Sequence, residues 1–101
     1  MERELLETFV QEEIEYEIFE RLPENELRVK LYTLNKKYSG KLIEHIKSDK
    51  WYRISHLSIL NHDGVAEYAV NYHPYHEDTG TDASDIKYTR PAREFFDGRF
   101  I

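Results

Sequence analysis

Two histidines and two carboxylates fall within six residues at His73-Pro74-Tyr75-His76-Glu77-Asp78, and neutral imidazole with carboxylate is a donor set for a divalent metal. Pro74 keeps this stretch from forming a helix with both histidines on one face, and no third ligand elsewhere in the chain is identifiable. His73 and His76 are thus metal candidates whose plain alternative is a solvated loop. Asp78, Gly80, Asp82 and Asp85 lack both the alternate-residue spacing and the closing Glu of a calcium loop. Nucleophilic catalysis has no motif: the chain has no Cys, no Gly-x-Ser-x-Gly and no Gly-rich phosphate loop. Ser55 and His56 are neighbours on a predicted strand, which sends their side chains to opposite faces. No cofactor is expected.

Recognition chemistry is better supplied. Of 8 tyrosines, Tyr52, Tyr68, Tyr72, Tyr75 and Tyr88, together with Trp51, exceed what a small sheet buries, and an exposed aromatic cluster marks a binding groove. Arg90 and Arg93 flank Pro91, and a guanidinium beside aromatic rings binds carboxylate, phosphate or a stacked base. The competing reading puts half of the rings in the core and uses Arg90 to hold the last turn. The rim decides between partners. Arg53, Arg90 and Arg93 around the rings favour nucleic acid, whereas Glu67, Glu77 and Asp78 repel phosphate.

Charge is unevenly placed. The net charge is -6, and residues 1 to 22 alone hold eight Glu against Arg3 and Arg21. The remaining residues balance, so the chain carries no bulk basic signal for nucleic acid. An acidic face with Glu12, Glu15 and Glu17 serves either solubility or a basic protein partner.

The elements that must position these side chains follow from periodicity. Leu6, Val10, Ile14, Ile18 and Leu22 recur every four residues, which predicts a helix over 2–21, and the Glu/apolar alternation over 13–18 offers a strand instead. Pro23 with Glu24 and Glu26 starts a second helix that carries Leu27, Leu31, Leu34 and Tyr38 on one face and ends at Gly40. The alternative pairs 27–33 with 13–19 as a hairpin. Residues 51–60 and 65–72 are β-rich runs about the turn Asn61-His62-Asp63-Gly64, which predicts an antiparallel hairpin. Residues 73–85 are predicted to be a long loop, 86–89 a short strand, and 91–96 a helical turn whose Phe95 or Phe96 plugs the core.

From Gly40 onward the order of features resembles a family of short bacterial and phage proteins of uncharacterised function, folded as small SH3-like barrels. The matching stretches are His45-Ile46-Lys47-Ser48, Tyr52-Arg53-Ile54, Tyr68-Ala69-Val70-Asn71-Tyr72, His73-Pro74-Tyr75, and Tyr88-Thr89-Arg90-Pro91 with Phe95-Phe96. Ser48 stands where the family has Gly and Tyr88 where it has Trp, and the acidic loop 76–85 is longer. The resemblance covers about the last sixty residues and implies a fold, without an activity.

At 101 residues the chain accommodates one domain, with 1–39 an acidic helical segment and 40–101 a β-rich core. The expected fold is α+β, an N-terminal helical pair packed on a small antiparallel SH3-like barrel or curled sheet. No leader-like N-terminus and no apolar run near the roughly 20 residues of a bilayer span are present, so a cytoplasmic protein without a membrane role is expected. The expected role is a non-enzymatic binding or adaptor module for a protein partner, an inhibitor encoded by a phage or mobile element being one form. The alternative is nucleic-acid binding by the aromatic and arginine face, and the third is a metal-dependent enzyme on His73 and His76.

Overall fold

Leu27, Leu34 and Tyr38 recur at helical spacing, and in a computed structural model of the protein they form the buried face of helix α1, Glu24–Tyr38. The structure describes residues 16–45 and 47–96. Pro23 caps the helix start with its carbonyl, which accepts from the Glu26 N–H at 3.0 Å, while Glu24 and Glu26 in the first turn and Lys36 and Lys37 in the last complement the helix dipole. Gly40, at φ 85°, turns the chain out of the helix. Its N–H goes to the Ile54 carbonyl at 2.7 Å, so the exit is already paired with the sheet.

The helix at 24–38 rules out the hairpin of 27–33 with 13–19. Most of the predicted 2–21 helix, with Leu6, Val10 and Ile14, lies outside the described residues. Where its end is described it is not an α-helix. Tyr16–Phe19 form a 3-10 turn, and Arg21–Leu22 form strand β1 against Ala66 and Glu67. Ile18 is nonetheless fully buried and Leu22 packs against the core, so the apolar spacing identified the inward side chains while the backbone followed the sheet.

Strands β2 (Leu42–His45), β3 (Lys50–His62), β4 (Val65–His76), β5 (Thr81–Asp82) and β6 (Tyr88–Pro91) complete one antiparallel sheet ordered β1-β4-β3-β2, with β5 and β6 also on β4. The sheet is curled into half a barrel, and the whole is a mixed α and β fold. The predicted hairpin is its spine. His62 pairs with Val65, leaving Asp63 and Gly64 as a two-residue turn with φ of 48° and 87°, the positive pair that a type I′ hairpin needs.

One irregularity sets the phase of β3. Ile54 pairs with Tyr72 but His56 with Asn71, so Ser55 is the extra residue of a β-bulge. Ile54 and Leu57 are three apart, and strict alternation would put them on opposite faces; the bulge lets both enter the core.

The predicted loop over 73–85 needs correction. β4 continues through His76, the chain turns at 77–80 with Gly80 at φ 67°, and β5 returns beside Tyr75 and His76. Pro74 is tolerated within the strand because its carbonyl accepts from Ala83 on the β5 edge, and the missing N–H falls on that same edge, in the gap between β6 and β5. The last strand lies at Tyr88–Pro91 rather than 86–89. Helix α2, Ala92–Phe95, follows it, with Phe95 fully buried against Tyr72 and Phe96. Phe96 meets Tyr38 and Phe19, closing the core's end.

Candidate recognition cleft

Alternation along β3, β4 and β6 brings Tyr52, Tyr72 and Tyr88 to one place. Their ring centroids stand 5.4 Å (Tyr52 to Tyr72), 6.1 Å (Tyr52 to Tyr88) and 5.5 Å (Tyr72 to Tyr88) apart, the first two edge to face. Tyr72 Oη accepts from Arg90 Nε at 2.9 Å, which fixes the guanidinium at the same spot. Burial pushes the Tyr52 phenol above its ordinary pKa, Tyr88 and Tyr72 push the same way, and Arg90 opposes them. The Tyr52 phenol therefore stays a neutral hydrogen-bond donor at physiological pH.

Two adjoining clefts share Lys50, Tyr52 and Tyr88. One, of about 280 Å³, adds Tyr72, Arg90, His45 and Ser48, and among the described residues no carboxylate lines it. The Ser48 N–H lies 3.3 Å from His45 Nδ1 and donates to it, leaving Nε2 as the protonated nitrogen of the neutral ring. The other, of about 420 Å³, is bordered by Asp49, Glu77 and Asp78 and by the Trp51 and Tyr75 rings. A row of tyrosines thus separates a cationic recess from an acidic one.

The remaining residues expected on the aromatic and arginine face go elsewhere. Tyr68 is fully buried, with its hydroxyl donating to the Leu27 carbonyl at 2.6 Å, so it pins α1 to the sheet instead of lining a surface. Arg93 is exposed, but its Nε donates to Glu67 at 2.9 Å at the far end of β4. Tyr75 lies beneath the Arg53 guanidinium, 5.2 Å from ring centroid to cation, and borders the acidic cleft. On the acidic face, Glu12 and Glu15 lie outside the described residues, and Glu17 stands 3.8 Å from Lys30.

His73 and His76 do not form a metal pair. Three residues apart on one strand, they leave it on opposite faces, and among the described residues no group of three His, Asp or Glu side chains is placed to hold an ion. His73, only 8% exposed, instead joins a chain of hydrogen bonds: Ser55 Oγ is 2.6 Å from its Nδ1 and Asp82 Oδ1 is 2.8 Å from its Nε2. Arg53 Nε donates to the same Asp82 oxygen at 2.7 Å, and Arg53 Nη1 to the Gly40 carbonyl at 2.7 Å. Arg53 first and His73 second hold the Asp82 carboxyl below its ordinary pKa, so it only accepts. With Asp82 accepting at Nε2–H, the tautomer that satisfies both contacts has Nδ1 accepting a hydrogen bond from the Ser55 hydroxyl.

This is the hydrogen-bond order of a base-activated hydroxyl, reached through the bulge at Ser55 and not through the neighbouring His56. None of Ser55, His73 and Asp82 lines either cleft, and the network ties β5 and the helix exit at Gly40 onto the outer face of β3 and β4.

Sequence reasoning found Tyr52, Tyr72, Tyr88 and Arg90, and missed Lys50, His45 and Ser48 as their neighbours. Only the pairing of Glu44 with Trp51 and His45 with Lys50 brings that turn beside β6, and no local pattern announces it. Compared with protein-family models, with curated proteins and with solved structures, the chain finds no match.

Proposed function

We propose that the protein is a non-enzymatic binding module that recognises a protein partner through the cleft walled by Tyr52, Tyr72 and Tyr88. The observation that carries this reading is the three-ring cluster itself, whose outermost member, Tyr88, keeps 44% of its surface exposed. Rigid aromatic rings and an arginine set on strands give large contact area at small entropic cost, which is the composition of binding hot spots. The curled half-barrel supports reading the fold as an open SH3-like barrel, in keeping with the resemblance of residues 40–101.

Two features favour a protein over nucleic acid. Arg53 and Arg93 are engaged by Asp82 and Glu67 respectively, and the tyrosine row ends at Asp49, Glu77 and Asp78. A continuous phosphate backbone laid along that row meets its own charge.

A photo-cross-linking residue placed at Tyr88 in cells of the native host tests the reading. The expected result is one discrete protein adduct from position 88, lost on Tyr52→Ala, and none from position 29 on the exposed side of α1. No adduct from 88, or equal adducts from both positions, overturns it.

A further inference from the structure

The cationic recess has a chemistry of its own. Lys50 and Arg90 bring two positive charges, and Tyr52, Tyr72, Tyr88 and Ser48 bring neutral hydroxyls, with no carboxylate lining it among the described residues. Lys50 makes no ion pair among the described residues. Arg90 is oriented by its bond to Tyr72 and by the strand pair Val70 with Arg90. Paired cations matched with several neutral donors in a recess of about 280 Å³ fit a compact dianion with three acceptor oxygens better than a monoanionic carboxylate.

We infer that this recess binds a phosphomonoester carried on a side chain of the partner protein, with Lys50 and Arg90 neutralising the phosphoryl charge and the tyrosine hydroxyls donating to its oxygens. The inference rests on the recognition role of the same cleft. The adjoining recess sharpens it. Its lining sets three carboxylates, Asp49, Glu77 and Asp78, against Lys50, a surround that favours a basic side chain by charge. The favoured partner segment therefore holds a phosphorylated residue with Lys or Arg close by in sequence. A polyanion, by contrast, gains at one end of the tyrosine row and loses at the other.

Chemical-shift titration of the whole chain tests this with phenyl phosphate, inorganic phosphate, benzoate, a single-stranded oligonucleotide, and one phosphoserine peptide made with Lys or with Glu beside the phosphate. The expected result is saturable binding of phenyl phosphate at β2 and β6, weakened about tenfold or more by Arg90→Gln and by Lys50→Gln. The Lys variant carries the test if removing Arg90 lowers the melting temperature, because Lys50 is exposed and makes no ion pair among the described residues. The Lys-containing phosphopeptide should bind more tightly than phenyl phosphate and than its Glu counterpart.

Benzoate binding as tightly as phenyl phosphate overturns the phosphoryl assignment, and oligonucleotide binding more tightly than every other probe with the same Arg90 dependence overturns the protein source. If phosphate binds without preference for the peptide, the partner-borne source is wrong while the anion site stands. If nothing saturates while position 88 still cross-links to a protein, the anion site is wrong and the recognition role stands.

Discussion

Asn35 holds the backbone of Leu57 by both of its polar groups: Nδ2 donates to the Leu57 carbonyl at 3.1 Å, and Oδ1 accepts from the Leu57 N–H at 2.6 Å. The register of β2 on β3 ends with Leu42 opposite Arg53, so at Leu57 that edge of β3 has no strand beside it among the described residues. The carboxamide supplies the donor and acceptor that a strand would have offered, and it does so from helix α1. Asn35→Ala removes both bonds and leaves two partly buried backbone groups unmet. The expected loss is about 1–3 kcal/mol by urea denaturation; a midpoint equal to wild type would mean that water replaces the side chain without cost.

The hairpin turn is the second place where one residue type is required. Gly64 stands at φ 87° with open space where a Cβ would sit, so the cost of Gly64→Ala comes from backbone conformation alone. About 1 kcal/mol of destabilisation is expected. Asp63→Asn, in the same turn at φ 48°, should be neutral, since Asn accepts the left-handed region. Paired denaturation curves of the two variants check both statements.

Phe95 fills the end of the core between Tyr72 and Phe96 and has no exposed surface. Truncation to Ala should cost about 3–5 kcal/mol. Tyr88→Ala should leave the melting temperature within a few degrees of wild type, because nearly half of that side chain already faces solvent. A cooperative melt that survives unchanged in the Phe95 variant would detach α2 from the core.

Acid should loosen the outer face in a way that depends on Asp82. Its folded-state pKa is depressed, by Arg53 first and by His73 second. Such a carboxyl contributes stability above its unfolded value of about 3.9 and loses that contribution as the pH falls through the lower folded value. Asp82→Asn should therefore be less stable at neutral pH and show a shallower fall in melting temperature below about pH 4. Parallel acid limbs in the two proteins would remove Asp82 from the account.

Much of the scaffold was legible because it is local. The helix ending before Gly40 and the Asp63-Gly64 hairpin each announce themselves within a few residues, through periodicity and turn chemistry. The buried Phe95 followed from the apolar pair after Pro91. What escaped depends on register over distance. Ser55 meets His73, 18 residues away, only because of a bulge that the alternating pattern conceals. Arg53 meets Asp82 across 29 residues through a return strand of two residues, too short to read in a polar stretch. Tyr68 and Tyr72 are spaced like partners on one face, yet Tyr68 lies under α1 and Tyr72 beside Arg90, a difference set by where the helix crosses the sheet.

The long strand β4 has its second edge divided among β1, β6 and β5, which are two, four and two residues long. Each of these offers its own outer edge over so short a length that an incoming extended chain would find only one or two backbone bonds before the template ended. Pro74, at the junction of β6 and β5, adds a missing donor where the segments meet. Self-association by ribbon pairing is thereby discouraged on this side even though the central hairpin is long and apolar. The same segmentation bears on selectivity: a partner gains little there from backbone pairing, which is indifferent to sequence, and must be chosen by its side chains.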